Sequence, residues 1–260
     1  MSGPTETPLP TTGGTFWGEA KSLYNWLNLA GSNLLGIGTN LKFYIQNSAD
    51  GTYYDVTPIR LTSSAGGVTF AATNGSNVIT VNWLGNGVQV GDFVSFSGAA
   101  SLGVNITAAV LDAEFRVTAV NSNNQFTVTA TATANASDVG NGGAAVIGYA
   151  QLNVGNAVFS YASGWGTGGW GGYNGAAGIS TGWGQSSASG VGVGVVQRLW
   201  SQAPFGENLL MCSRGGAMNF WAVNPNNSVF DRAQVMVANG TITQKDYATG
   251  AGQIPVTIDS

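Results

Sequence analysis

The chain has 260 residues, enough for one large or two small domains with an ordinary core. Forty glycines stand beside only eight Lys and Arg and twelve Asp and Glu; the net charge of −4, with no basic cluster, argues against a protein that grips nucleic acid. Histidine is absent and Cys212 is alone, which removes Ser-His-Asp and Cys-His catalysis, the usual zinc ligands and any intrachain disulfide.

Residues 1–14 are polar, carry three prolines and lack both a basic start and an apolar core, so they read as a flexible N-terminus with no secretory signal. Without such a signal, the Asn-x-Ser/Thr triplets at Asn74, Asn105, Asn135, Asn226 and Asn239 read as unmodified. No run is long enough to cross a bilayer as a helix.

Thr15 to Ala30 carries Trp17, Leu23, Tyr24, Trp26, Leu27 and Leu29, a pattern open to a short helix or to an outer strand; the context favours the strand. That context is a repeat. Asn33-Leu34-Leu35 returns as Asn208-Leu209-Leu210, an offset of 208 − 33 = 175, and one extra residue in the second copy aligns Tyr44-Ile45 with Phe220-Trp221. Each copy proposes a short apolar strand, a Gly-containing turn and a strand of large residues, the unit from which propeller blades are assembled. Asp50-Gly51 reads as a hairpin turn, and Asp50 with Asp55 lacks the further acids of a calcium loop. Pro58 ends ladder pairing and turns the chain outward.

From residue 61 to 149 aromatics thin out and five alternating segments follow, Val68–Ala72, Val78–Trp83, Asp92–Gly98, Glu114–Asn121 and Gln125–Thr131. They predict a small inserted five-stranded barrel or sandwich, with Phe93 and Phe96 on opposite sides of one strand and a helical turn capped by Asn105 or Thr107. Residues 15–60 and 150–260 then form the two parts of a partial propeller-like body. The fold class expected is all-β.

Within the second part, residues 161–194 place Trp165, Trp170, Tyr173 and Trp183 among many glycines. Ordering so much glycine is entropically costly, so the loop is expected to lean on something outside itself. Contact with a neighbouring subunit is favoured, with sugar recognition and a plain linker as alternatives. Gln234–Val237 and Pro255–Ile258 supply further strands.

Chemistry has few places to reside. Asp112 and Glu114, two apart on extended backbone, present a carboxylate pair at about the separation glycoside hydrolysis uses. A polar strand entrance, with Asp112 capping a turn, explains them more simply. Arg214-Gly215-Gly216 reads as a turn rather than an anion nest, and Cys212 as a small apolar strand residue. No catalytic residue, metal or cofactor is assigned.

Gly36–Asn40, Tyr54–Arg60, Gly164–Gly171, Arg198–Gln202 and Phe205–Leu210 together resemble virion proteins of tailed bacteriophages, of the tail nozzle or packaged-DNA-stabilisation kind. Residues 61–149, with Val90–Phe96 and Ala108–Val117, also resemble the module labelled after the first catalytic-cysteine half-domain (FCCH) of ubiquitin-activating enzymes, a likeness of fold without thioester chemistry, since Cys212 lies outside it. The resemblance implies a non-enzymatic homo-oligomeric ring in the phage tail, made in the host cytoplasm. It would touch neighbouring tail proteins and let DNA pass without specific binding. The chain departs from the family in length. Without about 90 inserted residues it holds only about three or four blades of 40–45 residues, where closure takes four to eight, so either the chain is a fragment or a partner completes the ring.

Overall fold

The computed structural model describes residues 10–11, 15–152, 157–160, 173–174, 179–180, 193–196, 199–214, 216–223, 232–236, 241–245 and 253–257. The described chain is all-β apart from one helical turn.

The first sheet is an antiparallel meander of β2 (Ala20–Leu27), β3 (Asn33–Thr39), β4 (Phe43–Asn47) and β5 (Tyr53–Asp55), with β1 (Pro10–Thr11) added beside β5. Thr15–Ala30 thus contributes a strand, as its context asks. Gly51 turns the β4–β5 hairpin at φ +70°, a conformation that favours glycine.

Pro58 stands between β5 and β6 (Ile59–Thr62), where the chain changes sheet. Next come β7 (Val68–Ala72), β8 (Val78–Trp83), β9 (Phe93–Ser97), the helical turn α1 (Ala108–Leu111), β10 (Glu114–Ser122), β11 (Gln125–Thr129), β12 (Asp138–Asn141) and β13 (Ile147–Gln151). All five strands read from alternation are there. With β6, β12 and β13 they make one eight-stranded antiparallel sheet, in the order β12-β7-β8-β11-β10-β9-β13-β6. The sheet curls over its own core without closing: on β13, a Cβ at Gly148 would lie 2.9 Å from Val68 and 3.0 Å from Trp83. Phe96 points inward onto Phe70 and Phe115, whereas Phe93 faces the other side. Thr107 caps α1, its hydroxyl accepting from the Val110 amide.

The segment from Gly155 to Arg198 is a separate compact unit. Within it, β14 (Ala157–Ser160) pairs with β17 (Val193–Val196), and β15 (Tyr173–Asn174) with β16 (Ile179–Ser180).

The second meander follows: β18 (Trp200–Phe205), β19 (Asn208–Ser213), β20 (Met218–Trp221) and β21 (Gln234–Val235). Beyond it, β22 (Thr241–Lys245) pairs with β23 (Gln253–Thr257). The repeat is therefore built twice as the same four-strand unit, and the two copies pack inner face to inner face. Leu34 and Leu209, the shared positions, are both fully buried between them, and each such burial contributes about 2 kcal/mol. Trp26 meets Trp221 edge-on at 6.2 Å, and Trp200 meets Phe43 at 4.8 Å. Gly36 and Gly38 allow this approach, since a Cβ at Gly38 would fall 2.4 Å from the Trp200 ring.

Backbone register corrects the alignment of the two copies. Leu34 pairs with Asn47, and Leu209 with Trp221, so the equivalents of Phe220 and Trp221 are Gln46 and Asn47. Matching aromatic letters misplaced the strand by two residues, a slip that keeps every side chain on its own face and so leaves the pattern looking correct.

Candidate functional site

Four charges gather in one cluster, Lys42 and Asp55 buried and Glu114 and Arg232 half-buried. Lys42 enters β4 and Asp55 ends β5; because Tyr44 pairs with Asp55, Lys42 is a diagonal neighbour of Asp55 on the same face. Lys42 Nζ donates to Asp55 Oδ2 at 2.6 Å and to Glu114 Oε1 at 2.5 Å. Arg232, just ahead of β21, sits 3.3 Å from Asp55 Oδ1 and 3.6 Å from Glu114 Oε2. It also donates to the Thr57 carbonyl at 3.0 Å. Gln151 of β13 donates to Glu114 Oε2, and the Thr57 amide to Asp55 Oδ1. The cluster ties both meanders to the eight-stranded sheet, and its two cations balance its two carboxylates.

The surroundings are dry. Lys42 and Asp55 have side chains 3 % and 4 % exposed, and the Phe93 ring covers the ammonium at 4.4 Å. Trp17 closes on Phe93 edge-on. Burial pushes the Asp55 carboxyl up, but the Arg232 and Lys42 charges outweigh it and hold the pKa at about 2. Tyr44, whose hydroxyl accepts from the Trp17 amide, is raised well above the ordinary phenol range by burial and by Asp55.

Asp112 and Glu114 do not converge. Asp112 ends α1 and accepts from the Ala99 amide, while Glu114 turns to Lys42, Arg232 and Gln151. The alternation that put both on one face is broken by the cap at Asp112. Asp55 serves the ion cluster, and Asp50 caps its own turn through the Thr52 amide. Cys212 is half-buried on β19. Among the described residues, no group of three or more His, Cys, Asp or Glu could hold a metal. None of the described helices is long and apolar enough to cross a membrane.

Trp165, Trp170 and Trp183 lie outside the described residues. Tyr173 is placed by backbone only, paired with Ser180 in the β15–β16 hairpin.

Two surfaces remain. On the outer faces of the meanders, Leu27 and Phe205 occupy equivalent places, each paired with the Asn that opens the repeat, Asn33 and Asn208. Both are exposed, beside Leu23 and Leu29 on one face and Met218 on the other. On the eight-stranded sheet, an open groove of about 480 Å³ is lined by Thr69, Asn82, Leu84, Asn121 and Gln125 among others, with no ionisable side chain. Its amides hydrogen-bond in a row, Asn121 to Gln125 to Asn82 to Thr69.

No protein-family model matches the chain, and no curated protein matches it. Among solved structures, a phage phi92 endosialidase is similar over 82% of this chain and 30% of its own, with a TM-score of 0.31 and 11% identity. The chain spans less than a third of that protein, and a likeness at this level carries no argument about activity.

Proposed function

We propose that the chain is a non-enzymatic structural subunit of a tailed-phage virion, of the tail nozzle or packaged-DNA-stabilisation kind, acting in the phage tail after synthesis in the host cytoplasm. The two meanders serve as neighbouring blades of a partial propeller, residues 61–149 as an inserted FCCH-like module, and Trp165, Trp170, Tyr173 and Trp183 as subunit contacts. Copies of the chain form a ring with adjoining tail proteins, and DNA passes through without specific binding.

The observation that carries this reading is the repeat. Two like meanders stack inner face on inner face, and each keeps an apolar residue, Leu27 or Phe205, exposed at the same place outside. A contact between the outer face of one copy and the unlike outer face of the next is heterologous, the kind that builds a ring when its rotation closes.

Sedimentation of the full chain tests it. Assembly that grows with concentration and weakens in Leu27→Asp and Phe205→Asp is expected. A monomer at every concentration that binds glycans, with binding lost in Trp170→Ala, would replace this reading by a carbohydrate-binding module.

A further inference from the structure

The geometry points to a covalent bond: we infer that Lys42 and Asp55 condense to an amide, an internal isopeptide crosslink promoted by Glu114. This inference stands apart from the assembly reading and rests on the ion cluster alone.

The reacting groups are in contact. Lys42 Nζ is 2.6 Å from Asp55 Oδ2, both side chains are almost wholly buried, and adjacent strands fix their relation through the Tyr44–Asp55 pair. Holding an amine against a carboxyl in this way replaces a bimolecular encounter by a first-order one. Glu114 Oε1, 2.5 Å from the same Nζ, is positioned to carry protons, and Gln151 and Arg232 hold its other oxygen. The Asp55 oxygens differ. Oδ1 faces the Thr57 amide at 3.0 Å and the Arg232 guanidinium at 3.3 Å, donors suited to the negative charge that develops on it, while Oδ2 faces the amine.

The resting ion pair is the unreactive form. Reaction begins when Glu114 takes a proton from the Lys42 ammonium and delivers it to Asp55 Oδ2, leaving a neutral amine beside a neutral acid. Nζ attacks Cγ, and the tetrahedral centre places its charge on Oδ1 against Arg232 and the Thr57 amide. Glu114 moves a second proton from Nζ to Oδ2, the Cγ–Oδ2 bond breaks and one water leaves. One C–N bond forms, one C–O bond breaks, and no oxidant or co-reactant is required. The cover of Phe93 and Trp17 limits the return of water, and the product keeps its charge balance, since Glu114 and Arg232 remain paired.

Intact-mass measurement of the fully unfolded chain is the test. The wild type is expected to be lighter than its sequence by one water, and fragmentation of its digest is expected to yield a branched peptide joining Lys42 to Asp55. Lys42→Arg and Glu114→Gln are expected to keep the full mass. A wild type of full mass after prolonged incubation overturns the inference without recourse to any variant. So does a lost water that persists in Lys42→Arg or maps to Asp50-Gly51, where a succinimide would form instead.

Discussion

Between the two meanders the chain buries Trp26, Leu34, Phe43, Trp200, Leu209 and Trp221, and it brings the sheets together by giving up side chains at Gly36 and Gly38. At the junction with the eight-stranded sheet it buries Lys42 and Asp55 instead, against half-buried Glu114 and Arg232. The seam is stabilised by area and shape, which respond little to pH or salt. Desolvation makes each charge at the junction costly alone and acceptable only in company. One body therefore contains a region whose failure is graded with volume and another whose failure follows the loss of a single partner.

The largest effect should come from the seam. Trp221→Ala removes a side chain that is 1 % exposed, and a loss of about 4 kcal/mol is expected. Urea unfolding should show a lower midpoint by about the same amount at pH 5 and pH 8. A strong pH dependence of that loss would mean that the seam and the junction are not separable.

Arg232→Met should follow, at about 3 kcal/mol near neutral pH, because Glu114, the carboxylate that stays charged whether or not Lys42 and Asp55 condense, then loses its guanidinium. Unlike the seam variant, it should lose less relative to the parent as acid neutralises Glu114. An equal penalty at every pH would mean that Arg232 matters for its packing only.

Acid sharpens the contrast further. Where Asp55 stays uncondensed, its pKa held at about 2 against an ordinary 3.8 contributes about 2 kcal/mol, present in full above the unfolded value and lost as pH falls through the folded one. An amide between Lys42 and Asp55 does not titrate. Lys42→Arg, which keeps a cation but cannot condense, should therefore lose stability between about pH 4 and pH 2, whereas the crosslinked parent should lose less over the same range. Parallel acid curves for the two would argue against the crosslink from a second direction.

The sequence made much of this legible where neighbours along the chain settle the matter. Val68–Ala72 and Val78–Trp83 alternate cleanly and are strands; Thr107 caps its helical turn; the Asn-Leu-Leu repeat marks equivalent strands in both meanders. What stayed hidden depended on distant partners. Spacing along the chain matches Glu114 to Asp112, whereas its partners in the fold are Lys42, Arg232 and Gln151. A signal was present, since Lys42 and Asp55 each interrupt an apolar strand, Leu41 to Ile45 and Tyr53 to Val56, in a chain with few charges. A charge placed where a core residue belongs needs a partner, and only the fold says which.

The smallest effect tests whether the polar ties of the seam behave like the seam or like the junction. Trp26 donates its indole N–H to the carbonyl of Glu207 at 2.9 Å, across 181 residues of sequence, in the turn between β18 and β19. Trp26→Phe keeps an aromatic ring against Trp221 and removes that donor, so the expected loss is about 1 kcal/mol. Donor and acceptor are both neutral, and screening acts on charges. The loss should therefore be the same in low and high salt, while the penalty of Arg232→Met shifts. If salt moved the Trp26→Phe loss as well, the nearby Glu207 carboxylate, which accepts from the Leu29 amide at 3.3 Å, would have to be part of the tie. The boundary between the two regions would then lie closer to the rim of the sandwich than to its centre.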